Sequence, residues 1–266
     1  MKLIDIHTHI YPNDIALKAT ESVQDFYGVG SHSMSGRVDE LLQRGTEAGI
    51  DRFTVLPVAI RADRVRNINE FILEQTARHK EFIGFGTVHA AMENPAGEVQ
   101  WIWEKGLKGV KMHPDSQHFA IDDPRLFPVY EEARGRVPVL LHMGDHRYDY
   151  SHPIKLRKIL RMFPGLQTVA AHFGGYSMYE TACEHLLDTD CVLDVSSSMM
   201  FMPEGEAERY INIYGAERMA FGTDYPMWDP VKETRRFLEL KLTPAQLEQI
   251  GFKTAARLLR LSQEDL

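Results

Sequence analysis

Eight short runs rich in β-branched and apolar residues, each followed by an amphipathic helical pattern, constrain this chain more than any other feature. The runs are Leu3–His9, Arg52–Val58, Phe82–Val88, Leu107–His113, Val137–Met143, Gln167–Phe173, Cys191–Ser196 and Arg218–Asp224. Between them lie helical stretches such as VDELLQRGTEAGI (38–50), NINEFILEQTARHK (67–80) and NPAGEVQWIWEKG (94–106). Several open on Asn-Pro, Asp-Pro or His-Pro, which signals a helix start, and several close on Gly or Pro. Spread over eight repeats, the chain has about 33 residues per unit, close to what one strand–helix unit takes.

Strands alternating with helices imply an α/β fold whose parallel sheet is covered by helices. Eight units at this length match a closed (β/α)8 TIM barrel. An open doubly wound sheet would carry a glycine-rich phosphate loop after its first strand. Here the first strand ends in His7-Thr8-His9, and Gly28-Val29-Gly30 lies some twenty residues further on in loop-like sequence. No linker or change of composition divides the chain, so a single domain over 1–266 is expected. The tail, 242–261, reads as two helices closing over the barrel end. The stretch from Ile10 to Gly36 reads as a short helix plus a loop over the top face.

Charge and cysteine content narrow the partners. Lys and Arg total 30 against 38 Asp and Glu, a net charge of −8, so no cation excess exists to displace counterions from a nucleic acid. No run approaches the roughly 20 apolar residues of a membrane span, and the opening MKLIDIHTHI lacks the hydrophobic core of a signal peptide. Cys183 and Cys191 fit no zinc or redox spacing. A cytoplasmic protein acting on a small molecule is expected.

The positions of the histidines point to chemistry. Of the 12, six (His7, His9, His89, His113, His142 and His172) lie at or just beyond the C-terminal ends of strand runs, and Asp224 ends the eighth run. In a barrel those ends converge on one mouth. Period-two alternation places His7 and His9 on one face of their strand, with Ile4 and Ile6 pointing outward to the helices. Imidazoles and a carboxylate converging from separate strands suit a divalent transition metal, zinc first, with manganese, cobalt or iron as alternatives. Burying these polar groups together without a shared ion would cost a few kcal/mol each. His89, alone after its strand, is equally explained as a hydrogen-bonded core residue. His32, His79, His118, His146, His152 and His185 read as loop or helix-face residues.

The segments HTHIYP (7–12), VKMHPD (110–115), LLHMGDH (140–146), AAHFGGYS (170–177) and FGTDYP (221–226) resemble the amidohydrolase superfamily. They are most similar to the amidohydrolase 2 branch, which includes aminocarboxymuconate-semialdehyde decarboxylases, resorcylate decarboxylases and metal-dependent hydrolases. The resemblance implies that His7, His9, His142 and Asp224 hold the metal and that Asp224 also shuttles a proton. It implies that His172 binds a second metal or holds the metal's water, with one or two ions in total. Lys111 stands where binuclear members carry a carboxylated, bridging lysine. Two roles are open for it, a carbamate ligand or a plain ammonium pairing with a carboxylate. His113 shares its parity and is expected at the mouth, either supporting the ligands or contacting the substrate. A homodimer is expected from the resemblance alone.

Two reactions fit such a site. A metal-bound hydroxide attacking an amide, ester or lactone would make the protein a hydrolase, with Asp224 moving the proton. The alternative is a non-oxidative decarboxylase of an aromatic or unsaturated acid, which should place a cation near the scissile carboxylate; Arg61 and Arg147 are the candidates. Trp228 is a candidate wall for a flat substrate. Ser196, Ser197 and Ser198 lack a nucleophile-elbow context, and Gly174-Gly175 reads as a tight turn after His172.

Overall fold

The computed structural model describes residues 1–29 and 34–262; Gly30 and His32 lie outside the described residues. The strands are β1 (Ile4–Thr8), β2 (Arg52–Val55), β3 (Phe82–Gly84), β4 (Gly86–Thr87), β5 (Val110–Met112), β6 (Val139–Leu141), β7 (Thr168–Ala170), β8 (Val192–Asp194) and β9 (Met219–Ala220). Each falls inside one of the eight expected runs and is shorter than it. All neighbours pair in parallel, in the order β1-β2-β3 and β4 through β9. β3 and β4 are two halves of one strand position interrupted at Phe85, whose N–H still reaches the Val55 carbonyl. The circle closes where Ile6 N–H donates to Phe221 O, Asp224 N–H to His7 O and His9 N–H to Tyr225 O. The fold is thus a closed TIM barrel of eight strand positions.

Two apolar layers follow from strand alternation. Val110, Val139 and Leu193 face outward and pack with helix residues such as Ile102, Val129 and Ile159. Their neighbours in sequence, Leu140 and Val192, belong to an inner set with Ile83, Phe85, Val169 and Ala220. Ile4 and Ile6 are in that inner set, so the expectation that they face the helices is corrected. The cause is an irregularity in β1. Asp5 aligns with Phe53 but Thr8 with Val55, so three steps on β1 match two on β2. The extra residue flips the parity, and His7 can face the mouth although Ile4 and Ile6 fill the barrel beneath it.

The helices begin where Pro-led signals place them. Asn94, His152 and Asp229 each accept a backbone N–H at the start of Pro95–Glu104, Pro153–Met162 and Pro230–Leu238. The tail forms Pro244–Glu248, a π turn at Gln249–Lys253, and Thr254–Leu258. Ala255, Leu258 and Leu259 cover the inner apolar set, and Ile250 O accepts from Phe221 N–H. Among the described residues no helix is long and apolar enough to cross a membrane.

On helix Pro230–Leu238 the buried Glu233 has one oxygen without a partner and the other 3.5 Å from Arg236 Nε. Burial pushes its carboxyl up to about 7, against the opposing pull of Arg236. The folded state therefore holds the proton more tightly than the unfolded one. The stability this contributes is complete below the ordinary value of 4.5 and is lost as pH climbs through about 7. Glu233→Gln, which mimics the protonated acid, should match wild type at pH 5. At pH 8 it should be more stable by on the order of 2 kcal/mol in urea unfolding. An equal deficit at both pH values would contradict this.

Candidate functional site

The ends of β1, β5, β6, β7, β8 and β9 bring their polar residues to one mouth. His7 (β1) donates from Nδ1 to Asp194 Oδ2 at 2.9 Å, and His9 donates from Nδ1 to Leu56 O at 2.6 Å. Both rings are thereby held in the tautomer that leaves Nε2 with a lone pair. Both Nε2 atoms lie near one oxygen: Asp224 Oδ1 is 3.5 Å from His7 Nε2 and 3.4 Å from His9 Nε2. Burial and the neighbouring Lys111 push His7 down to about 4, so it is a neutral imidazole at pH 7. Burial also raises the Asp224 carboxyl, but His7, His9 and His172 outweigh this and hold it well below the usual carboxylate range. Two imidazole nitrogens and a carboxylate oxygen converging in this way are a donor set that suits a cation. The ligand atoms of His7, His9 and Asp224 lie within 4.8 Å of one another. A divalent metal fits these residues.

Lys111, the middle residue of β5, is buried, with Nζ 3.0 Å from His7 Nε2. Burial lowers its ammonium to about 8, with Asp224 and Asp194 pulling the other way. It lies in the same cluster as the candidate ligands.

His172 and His142 form a second tier. His172 donates from Nδ1 to Ser196 O at 3.1 Å, so its Nε2 accepts from His142 Nδ1 at 3.0 Å. His142 lies flat against His113, ring centroids 3.9 Å apart, and those two group with Asp115 within 4.8 Å. His142 is thus joined to the first tier through His172; its ligand atoms do not fall in the group formed by His7, His9 and Asp224. His113 reaches the mouth as expected, and its Nε2 donates to Tyr27 Oη at 2.6 Å.

Two side chains that sequence reasoning passed over, Asp194 and Tyr27, take part, as does Ser197, which that reasoning discounts as a nucleophile. Asp194, buried at the end of β8, accepts from His7, from the His172 and Ser196 amides, and from Ser196 Oγ. An acid inside the apolar run Cys191–Ser196 was the available signal. Tyr27, the last residue of helix Ala16–Tyr27, caps His113 and His142. Ser197 donates to Asp224 Oδ2.

The two candidate substrate cations are otherwise engaged. Arg61 is exposed and forks onto Asp63. Arg147 forks onto the buried Asp145 and donates to Phe26 O at 2.6 Å, its plane lying over Phe26, Tyr27 and Tyr148. It fastens helix Ala16–Tyr27 over the mouth instead of offering a free charge. Trp228 is half-buried and donates from Nε1 to Ser197 Oγ at 2.7 Å. His89 receives the Ala91 amide and packs on Phe119, a loop role. Gly174, at a φ of 78°, donates to Ala171 O, the expected tight turn after His172.

The family of proteins described as amidohydrolase matches residues 4–261. Among solved structures, an uncharacterised TIM-barrel protein, Bb4693 from Bordetella bronchiseptica, superposes with a TM-score of 0.80 at 22% identity, covering 98% of this chain and 99% of its own. 5-Carboxyvanillate decarboxylase from Sphingomonas paucimobilis gives 0.76 at 17% identity, over 98% and 99%. Dihydroxybenzoic acid decarboxylase from Polaromonas sp. JS666, with bound manganese and the inhibitor 2-nitroresorcinol, gives 0.76 at 17%, over 100% and 99%. No curated protein matches the chain.

Proposed function

The chain belongs to the amidohydrolase family, and from that membership we propose that it is a metal-dependent hydrolase of an amide, ester or lactone in a small molecule. The observation that carries the reading is the convergence of His7 Nε2, His9 Nε2 and Asp224 Oδ1, with each imidazole's other nitrogen already committed. His7, His9 and Asp224 would hold a divalent cation, with His142 and His172 as the further ligands to be tested and Lys111 a ligand if carboxylated. Zinc is the first expectation, and the manganese bound by the Polaromonas decarboxylase makes that ion the second to try. Such an ion supplies Lewis acidity, polarising a carbonyl and easing the ionisation of water.

The chain's own groups do the rest. Asp224, ionised at neutral pH, can take a proton from water and return it to the leaving group. His172 and His142, hydrogen-bonded to each other, provide a fixed polar wall on the other side of His7. Tyr27, Tyr176 and Trp228 surround the mouth with aromatic surface, which suits a flat organic substrate.

Hydrolysis is preferred to decarboxylation because Arg61 and Arg147 are both spent on aspartates, which leaves neither free to seat a scissile carboxylate. One observation favours the decarboxylase reading: Lys111 is a buried cation beside the ligand cluster and could take that role. The protein, analysed for metal as purified, should contain one to two equivalents. Loaded with zinc or manganese, it should hydrolyse members of a panel of amides, esters and lactones. It should release no carbon dioxide from hydroxybenzoates or unsaturated acids. Carbon dioxide release without hydrolysis would replace the first reading by the second.

A further inference from the structure

We propose that Ser197, oriented by Trp228, is a positioning residue that restricts Asp224 to a single free oxygen toward the metal. The inference rests on the reading of Asp224 as a metal ligand. Indole Nε1–H can only donate, and a serine hydroxyl has one proton to give. Trp228 Nε1–H donates to Ser197 Oγ at 2.7 Å. Ser197's own proton therefore goes to its other neighbour, Asp224 Oδ2. The direction of the chain is fixed by chemistry: indole to hydroxyl to carboxylate. With Oδ2 engaged, Oδ1 is the oxygen that faces His7 and His9.

The backbone corroborates a dedicated arrangement. Ser197 has φ 48° and Asp224 has φ 60°, both in the left-handed region that residues with side chains seldom adopt. Asp224 is anchored from its other side by its N–H on His7 O at 2.7 Å. Trp228 is in turn braced edge-on by Phe201, ring centroids 5.7 Å apart. A carboxylate so held offers one oxygen to a cation and keeps the other away from it, which favours a low coordination number and leaves room for substrate.

The test uses cobalt(II) as the probe, because its visible absorption reports coordination number directly, and it needs no substrate. Ser197→Ala and Ser197→Gly both delete the hydroxyl, but they affect the backbone oppositely, since glycine is at ease at this φ and alanine is not. Both should weaken cobalt binding about tenfold or more and shift the cobalt bands in the same way. Trp228→Phe, which leaves the serine hydroxyl without its fixed donor, should show a smaller shift in the same direction. If Ser197→Gly binds cobalt with the affinity and spectrum of the unmodified protein, the proposal is overturned, whatever the alanine variant does. If the unmodified protein takes up no cobalt, zinc or manganese at all, the metal-site reading itself has failed.

Discussion

Asp224→Asn is expected to reduce kcat by about a thousandfold or more while the protein remains folded. Proton transfer by a positioned side chain contributes typically 10²–10⁴-fold, and Asp224 is given two tasks, ligation and proton transfer. The amide has nearly the volume of the carboxylate and can still accept from Ser197, so the barrel loses no packing. It cannot, however, take a proton from water at neutral pH, and it removes the negative charge on which His7 and His9 converge. The stabilising effect of a depressed carboxyl is complete above the ordinary carboxylate range and is lost only as pH falls through the depressed value of the folded state. The variant should therefore be less stable than wild type at pH 7, by a margin that narrows only as pH falls below the ordinary carboxylate range. Far-ultraviolet circular dichroism and a cooperative thermal transition check the fold; steady-state kinetics on the best substrate from the panel check the rest. Turnover within tenfold of wild type would remove Asp224 from the proton-transfer role.

Much of the architecture was legible because alternation of strand and helix is written in composition and periodicity, and because a barrel converts strand C-termini into a single location. That is why His7, His9, His113, His142, His172 and Asp224, distant in sequence, could be assigned to one mouth, where the structure gathers them. What escaped was set by local geometry or by tertiary partners. The inward face of Ile4 and Ile6 depends on one extra residue between Asp5 and Thr8, and period-two reasoning has no means of counting an irregularity in advance. The engagement of Arg61 and Arg147 was visible in principle, since Asp63 and Asp145 each stand two residues away. A charge was credited to the substrate before its nearest carboxylate had been considered. Tyr27 gave no signal of its own. It reaches His113 because Arg147 pins the end of its helix, a contact across 121 residues of sequence.

Asp194→Ala should be the most destabilising single change at the site and should also cost metal affinity. Asp194 is fully buried, and its two oxygens accept from His7 Nδ1 at 2.9 Å, from the His172 and Ser196 amides at 3.1 Å each, and from Ser196 Oγ. Burial alone would raise this carboxyl, but His7 holds it below the usual carboxylate range, so the charge is present throughout the pH range where the fold is stable. Truncation leaves at least two buried amides and an imidazole N–H without acceptors in a place water cannot easily reach. At about 1–3 kcal/mol for each stranded donor, partial relaxation still leaves a loss of about 3–5 kcal/mol, comparable to breaking a buried ion pair. Asp194→Asn separates the two effects. It keeps an acceptor for the amides and most of the volume, so much of the stability should return. It does not restore the carboxylate that fixes the His7 tautomer, so metal affinity should stay about 10–100-fold below wild type. Urea unfolding of the metal-free proteins gives the first quantity, and competition with a chelator gives the second. If Asp194→Asn binds zinc as tightly as wild type, the carboxylate serves the fold and has no part in preparing His7 as a ligand.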